Sequence, residues 1–150
     1  MIGSATRVLF GFIADKVGGG ILTHITGIAM ICLSGALIYF GLLSPTSIEQ
    51  FPMFVWCMLG LFFFSGVGNA ATFRQYPIIF SHSPRQGAQV LGWTGAVAAY
   101  GPFVFATIIG ASITRTGTAI PFFVGAIAFF FVATAINWWF YTRKGCEKPS

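Results

Sequence analysis

Four stretches of this chain carry no aspartate, glutamate, lysine or arginine: Val17 to Ile48, Gln50 to Phe73, Gln86 to Thr114 and Thr116 to Thr142. Each is longer than the roughly 20 residues an α-helix needs to cross a hydrocarbon core. Only 7% of the 150 residues are charged and 56% are hydrophobic, whereas a water-soluble domain carries about 25% charged residues. In lipid, backbone polar groups must find partners within a helix or a closed barrel. The alternation of apolar and polar residues that marks a membrane barrel is absent, so the spans are expected to be helical.

The expected fold is therefore an all-α polytopic membrane bundle, a single membrane domain over residues 1–150 with full spans at about 22–43, 52–80, 88–113 and 119–141. The second span is expected to be interrupted or bent near its end, at Arg74 and Pro77. Ahead of these lies a partial first helix, about 1–14, too short to cross. It lacks a basic leader followed by a small-residue cleavage site, so it reads poorly as a signal peptide. It reads as the last half of a helix. On that reading, the 150 residues are a fragment, or a separately expressed half, of a larger transporter-like chain.

Charge placement orients the bundle. The net charge is +5, yet the cations are not clustered for nucleic acid. Lys16, Arg74, Arg85, Arg143, Lys144 and Lys148 fall at one end of the expected spans, with Arg115 and Glu49 at the other. By the positive-inside rule the first end is cytoplasmic, which places the protein in the cell inner membrane with its C-terminus in the cytoplasm. Cys32 and Cys57 lie within spans and act as small apolar residues; Cys146 lies in the tail. His24 and His82 have no partner at metal-ligand spacing, and no nucleophile elbow, P-loop or zinc-protease helix occurs. The chain is expected to be no enzyme and to hold neither metal nor cofactor.

Against this background Arg7 is costly. It lies eight residues before Asp15, about 12 Å along a shared helix axis. With Asp15 and Lys16 at the membrane edge, Arg7 falls near the bilayer midplane, where a cation costs about 2.5 kcal/mol or more and normally faces a cavity or a partner. No carboxylate of this chain lies at that depth. Two readings stay open: Arg7 pairs with a carboxylate or carbonyls in sequence beyond these residues, or its counter-ion is a transported anion. Guanidinium is flat and donates two parallel hydrogen bonds, which suits a small planar or carboxylate-like anion.

Two further runs stand out. In "QVLGWTGAVAAYGPFVFATIIG", Ala88, Gly92 and Ala96 recur every four residues, as do Gly95 and Ala99, a spacing that lets helix backbones approach closely in lipid. Gly101, Pro102 and Gly110 add bending points. Packing alone accounts for this pattern, and so does a rocking or substrate-lining helix. In "FFFSGVGNAATFRQYP", Asn69 places an amide inside the membrane, either to bond a neighbouring helix or to line a pore. Arg74, nearer the cytoplasmic end, is read as snorkelling. Phe129–Phe131 and Trp138-Trp139 are read as lipid-facing or interfacial anchors.

These runs converge on a resemblance. Gly11, Asp15, Lys16 and Gly18 occupy the loop motif G-x-x-x-D-[RK]-x-G of the major facilitator superfamily, in its second-half copy after the eighth helix. Together with the preceding arginine, "GVGN" at Gly66–Asn69 and "GWTGAVAAYGPFVF", the chain resembles the nitrate/nitrite porter family across essentially its whole length, as helices eight to twelve of twelve. The resemblance implies transport of nitrate or nitrite by alternating access. Arg7 would be one of two arginines clamping the anion, the other lying in the missing N-terminal half. Gly92, Gly95 and Gly101 would belong to the signature helix that moves near the substrate. The loop motif would lock the cytoplasmic gate. The implied partners are nitrate or nitrite, the lipid bilayer and the N-terminal half, and no nucleic acid. Ala98 and Pro102 depart from the expected glycines, and Lys16 stands where arginine is commoner. The alternatives are a carrier for another small anion, such as an organic acid or phosphate ester, or a non-transporting membrane interaction protein.

Overall fold

The structure, a computed structural model, describes residues 16–147. Helix α1 is Gly19–Tyr39, α2 Phe51–Ile79, α3 Pro84–Ala99, α4 Gly101–Thr116 and α5 Ile120–Asn137. A 3₁₀ turn, Ile48–Gln50, leads into α2, and a π turn, Trp138–Thr142, extends α5. Among the described residues all regular structure is helical, as the uncharged windows require. Four rods, Gly19–Tyr39, Ile48–Ile79, Pro84–Thr116 and Ile120–Thr142, are long and apolar enough to cross a membrane. Even the shortest, α1, is about 31 Å long, the thickness of a hydrocarbon core. The chain is a multi-pass membrane protein.

Two prolines act differently, and position explains why. The interruption expected at Arg74 and Pro77 does not occur: α2 runs through both to Ile79. Pro77 sits in the last turn, where the missing donor frees only the Phe73 carbonyl, and the Phe80 amide still closes the helix on Tyr76 at 2.9 Å. Pro102 lies mid-span, preceded by Gly101. Its missing amide leaves the Ala98 carbonyl without its helical partner, the Tyr100 amide tightens onto Val97 at 3.1 Å, and helical bonding resumes from Val104 to Tyr100. The third rod is therefore two 16-residue helices, each too short to span alone. Gly110, the other expected bending point, lies within an unbroken α4.

Helix α1 is the centre of the bundle, packed along both α2 and α5. Leu22, Val67 and Ala71, joined by Phe63, fill the interface near the start of α1. Leu37, Leu42, Cys57, Ala119 and Phe123 form the core at the opposite end. There Gly41, at φ 66°, closes α1: the Leu42 amide bonds the Leu37 carbonyl at 3.0 Å and the Gly41 amide bonds Ile38 at 3.1 Å. This is the Schellman arrangement, and its usual apolar contact is the buried Leu37–Leu42 pair. The Ser44 hydroxyl bonds that of Thr118 at 3.1 Å, tying the α1–α2 loop to the turn before α5.

Apolar side chains gain little by leaving lipid for each other, so helices in a membrane associate through close backbone approach and hydrogen bonds. The α1–α5 seam follows this rule at Gly27, where any Cβ would overlap the Thr134 hydroxyl. By contrast α4 buries no residue, and Phe103 on it is 75% exposed. Gly27→Ala should destabilise the bundle by about 1–3 kcal/mol, the usual range for overpacking. Thr134→Ala in the same chain should recover most of the loss, read by thermal unfolding in detergent; equal losses in the single and double variants would contradict this seam.

Candidate functional site

Of the features singled out above, the partial first helix at about 1–14, Arg7, Gly11, Asp15 and Lys148 lie outside the described residues. The rest of the loop motif leads directly into α1. Lys16 is exposed. Gly18 caps the helix with φ 97° and ψ 133°, a backbone region essentially closed to side chains, so the motif's last glycine has a local reason. Its neighbour Gly19 has a packing reason: a Cβ there would lie 2.8 Å from the Ala71 carbonyl and 2.8 Å from Cγ of Gln75. The loop is thereby pressed onto α2 one turn before that helix ends.

Directly beneath lies a set of buried polar side chains that sequence reasoning missed. Gln75 is 5% exposed and Asn137 7%, in surroundings where an unmatched amide is expensive. Gln75 Nε2 donates to Thr23 Oγ1 at 2.8 Å and to Asn137 Oδ1 at 3.4 Å. Asn137 Nδ2 donates to the Gly20 carbonyl at 2.8 Å and to Thr142 Oγ1 at 3.1 Å. The Thr142 hydroxyl lies 3.1 Å from the same Gly20 carbonyl. This clasp joins α1, α2 and α5 at the end carrying Lys16, Arg85 and Arg143. The signal available in sequence was one amide in each of two apolar runs, Gln75 beside Arg74 and Asn137 beside Trp138.

The other candidate residues divide between two faces. Asn69, Phe73 and Tyr76 stand at i, i+4 and i+7, one stripe of α2. The Tyr76 hydroxyl bonds that of Thr94 in α3 at 3.3 Å, so this stripe is the side α2 turns toward α3. Asn69 Oδ1 is buried without a hydrogen-bond partner, whereas the adjacent Gly68 lies against Thr26 of α1, 2.9 Å from where its Cβ would be. Asn69 is thus not engaged as a helix-to-helix acceptor among the described residues. A Cβ placed on Gly92 or Gly95 would have no atom within 4 Å, and one on Gly101 would meet only the Phe105 ring at 3.8 Å. The structure brings Asn69 and Thr94 to one side and leaves the glycine stripe of α3 facing away from the described helices.

What this arrangement offers chemically is hydrogen bonding, with Asn69, Tyr76 and Thr94 placing polar groups on the α2–α3 side. Among the described residues no three of His, Cys, Asp and Glu gather as metal ligands. Cys57 is buried and Cys32 exposed, both as free thiols. Arg74 is exposed on α2, one residue before the clasp.

Sequence comparison finds proteins named as transporters. The chain is 50% identical over 149 residues, 99% of its own length and 33% of the relative's, to a protein of Thermus thermophilus named probable nitrate/nitrite antiporter NarK2. It is 28% identical over 162 residues to nitrate/nitrite transporter NarU of Escherichia coli, covering 95% of this chain and 35% of that one. A NarU of Salmonella typhimurium is 26% identical with the same coverage. No family model matches. The chain spans about a third of the length of the curated relatives it matches. The resemblance to nitrate/nitrite porters, drawn from the loop motif and the glycine runs, is borne out by these relatives, each named as a transporter or antiporter.

Asn137→Leu should leave the Gly20 carbonyl and Gln75 short of partners and lower stability by about 1–2 kcal/mol. Gly18→Ala should cost about 1–3 kcal/mol through backbone strain alone. Both are read as a lowered midpoint in detergent melts, and an unchanged Asn137→Leu protein would remove the clasp from the account.

Proposed function

We propose that this chain is the C-terminal part of a major facilitator carrier, helices eight to twelve of twelve, that moves nitrate or nitrite across the inner membrane by alternating access. The observation that carries this is the near-complete overlap of the chain with the Thermus relative at half its residues identical. The end bearing Lys16, Arg85, Arg143 and Lys144 faces the cytoplasm, in accord with the positive-inside rule. Residues 1–150 act as one membrane domain, and an N-terminal half and the bilayer complete the working unit.

Arg7 binds the travelling oxyanion at the midplane, sharing it with an arginine of the N-terminal half. A planar anion takes two parallel hydrogen bonds from a guanidinium, which an ammonium cannot supply. Asn69 lines the path; its place on the α2 stripe that faces α3, half-buried and without a helix-to-helix bond from its oxygen, supports that role. A carbonyl oxygen accepts only, so toward an anion Asn69 presents its amide nitrogen or orders water. Gly92, Gly95 and Gly101 let the signature helix close on its partner, supported by the open face at Gly92 and Gly95 and by the joint at Tyr100. Gly11, Asp15, Lys16 and Gly18 hold the cytoplasmic gate, supported by the way Gly18 and Gly19 press the loop onto α2. Two halves rocking about a midplane site is the general scheme for such carriers.

The test is uptake of labelled nitrate by vesicles containing the complete carrier, with carboxylates as competitors. Arg7→Lys keeps the charge and loses the fork, and nitrate uptake should fall by about tenfold or more, equivalent to roughly 1.4 kcal/mol. Full uptake by Arg7→Lys would reject the anion-clamp role. Asn69→Leu should separate transport from folding: uptake falls, while the melting midpoint holds or rises because an unsatisfied buried oxygen has gone.

A further inference from the structure

Helices α1 and α5 enclose a groove of about 480 Å³ at the basic end, lined by His24, Ile28 and Ile31 on one side and Phe131, Ala135 and Trp138 on the other. The α1 residues follow i, i+4, i+7, so the lining is a stripe two turns long, about 10 Å. Its floor is the close approach of Gly27 to Thr134. The side chains at its rim are open: Ile28 is 47% exposed and Phe131 65%.

The π turn decides what stands at the mouth. By widening the last turn of α5 it returns the Arg143 amide onto the Trp138 carbonyl at 3.0 Å, so Arg143 emerges beside the residue that ends the groove. Its guanidinium is held in place, 4.1 Å over the Trp139 ring, with Nε donating to the Trp139 carbonyl at 3.0 Å. Those contacts use one of its five donors and leave the terminal amino groups available. Lys144 follows, exposed. The residue that ends this slot, Trp138, is thus bonded through its carbonyl to the backbone of the first of two adjacent cations, at the level where interfacial tryptophans sit.

We infer that this groove, with Arg143 and Lys144, binds one anionic phospholipid, an acyl chain lying between α1 and α5 and the phosphodiester resting on the two cations. Charge complementarity selects the headgroup. Cations at a membrane surface draw anionic lipid, and the slot makes that attraction local. The inference rests on the membrane placement of the chain and not on what it transports.

The test uses the complete protein carrying Trp56→Phe and Trp93→Phe, so that Trp138 and Trp139 are the reporters this chain supplies, in phosphatidylcholine vesicles containing brominated phosphatidylglycerol or brominated phosphatidylcholine. Any tryptophan of the N-terminal half is replaced likewise. Quenching by the anionic lipid should half-saturate at about thirtyfold lower mole fraction, the scale set by two surface cations. Arg143→Gln with Lys144→Gln should bring the two lipids to parity. Ala135→Phe, which fills the slot and keeps both cations, should also abolish the preference. Equal quenching by the two lipids in the parent overturns the site, as does absence of quenching by either, which would mean that protein covers the groove. A preference that survives Ala135→Phe overturns it too, since it would reflect diffuse surface attraction.

Discussion

Three helices of this protein are tied together by one small cluster of hydrogen bonds around Asn137. Gly20 receives both the Asn137 amide and the Thr142 hydroxyl, while Thr23, one turn on, receives Gln75 from α2. Hydrophobic burial cannot set helix register in lipid, because the surrounding acyl chains are as apolar as the side chains. Directional bonds can. Each is worth only about 0.6 kcal/mol on average in a membrane, so their contribution is more to alignment than to total stability. Gly20, Thr23 and Gly27 form a single stripe of α1, and the amide bonds at its start place Gly27 opposite Thr134 further along.

The two ends of the bundle are built on different principles. At the basic end the helices are joined by buried amides and a glycine-tight loop; at the far end by apolar packing around Leu37 and Phe123 and by hydroxyl bonds in the turns. The rod formed by α3 and α4 shares little of either. It touches α2 through Tyr76 and Thr94 and Gly87 against Phe80, then breaks at Tyr100, and its second half buries nothing. A jointed rod that buries little thus stands beside a closely packed three-helix unit.

Much of the architecture was legible in the residues. Uncharged windows mark where helices can cross, because a charged residue inside lipid is costly. Gly18 was readable from the loop motif, and its positive φ explains why glycine stands there. Gln75 and Asn137 were not legible as a pair: they lie 62 residues apart, and nothing local distinguishes an amide bonded across helices from one that lines a path. Asn69 illustrates the converse. Its sequence context allowed both roles, and what the structure adds is a buried oxygen without a hydrogen-bond partner. The two prolines look alike in sequence, yet one is absorbed by the end of α2 and the other divides a span.

The sequence by itself determined that the chain is helical and spans a membrane several times, because these properties follow from the energetics of single residues in lipid and water. Which helices touch, which amides pair and which glycines are crowded or free were decided only by the tertiary structure. Those outcomes depend on distances between residues far apart in the chain. A hydrogen bond and a missing Cβ act over a few tenths of an ångström, a scale that periodicity and composition do not reach.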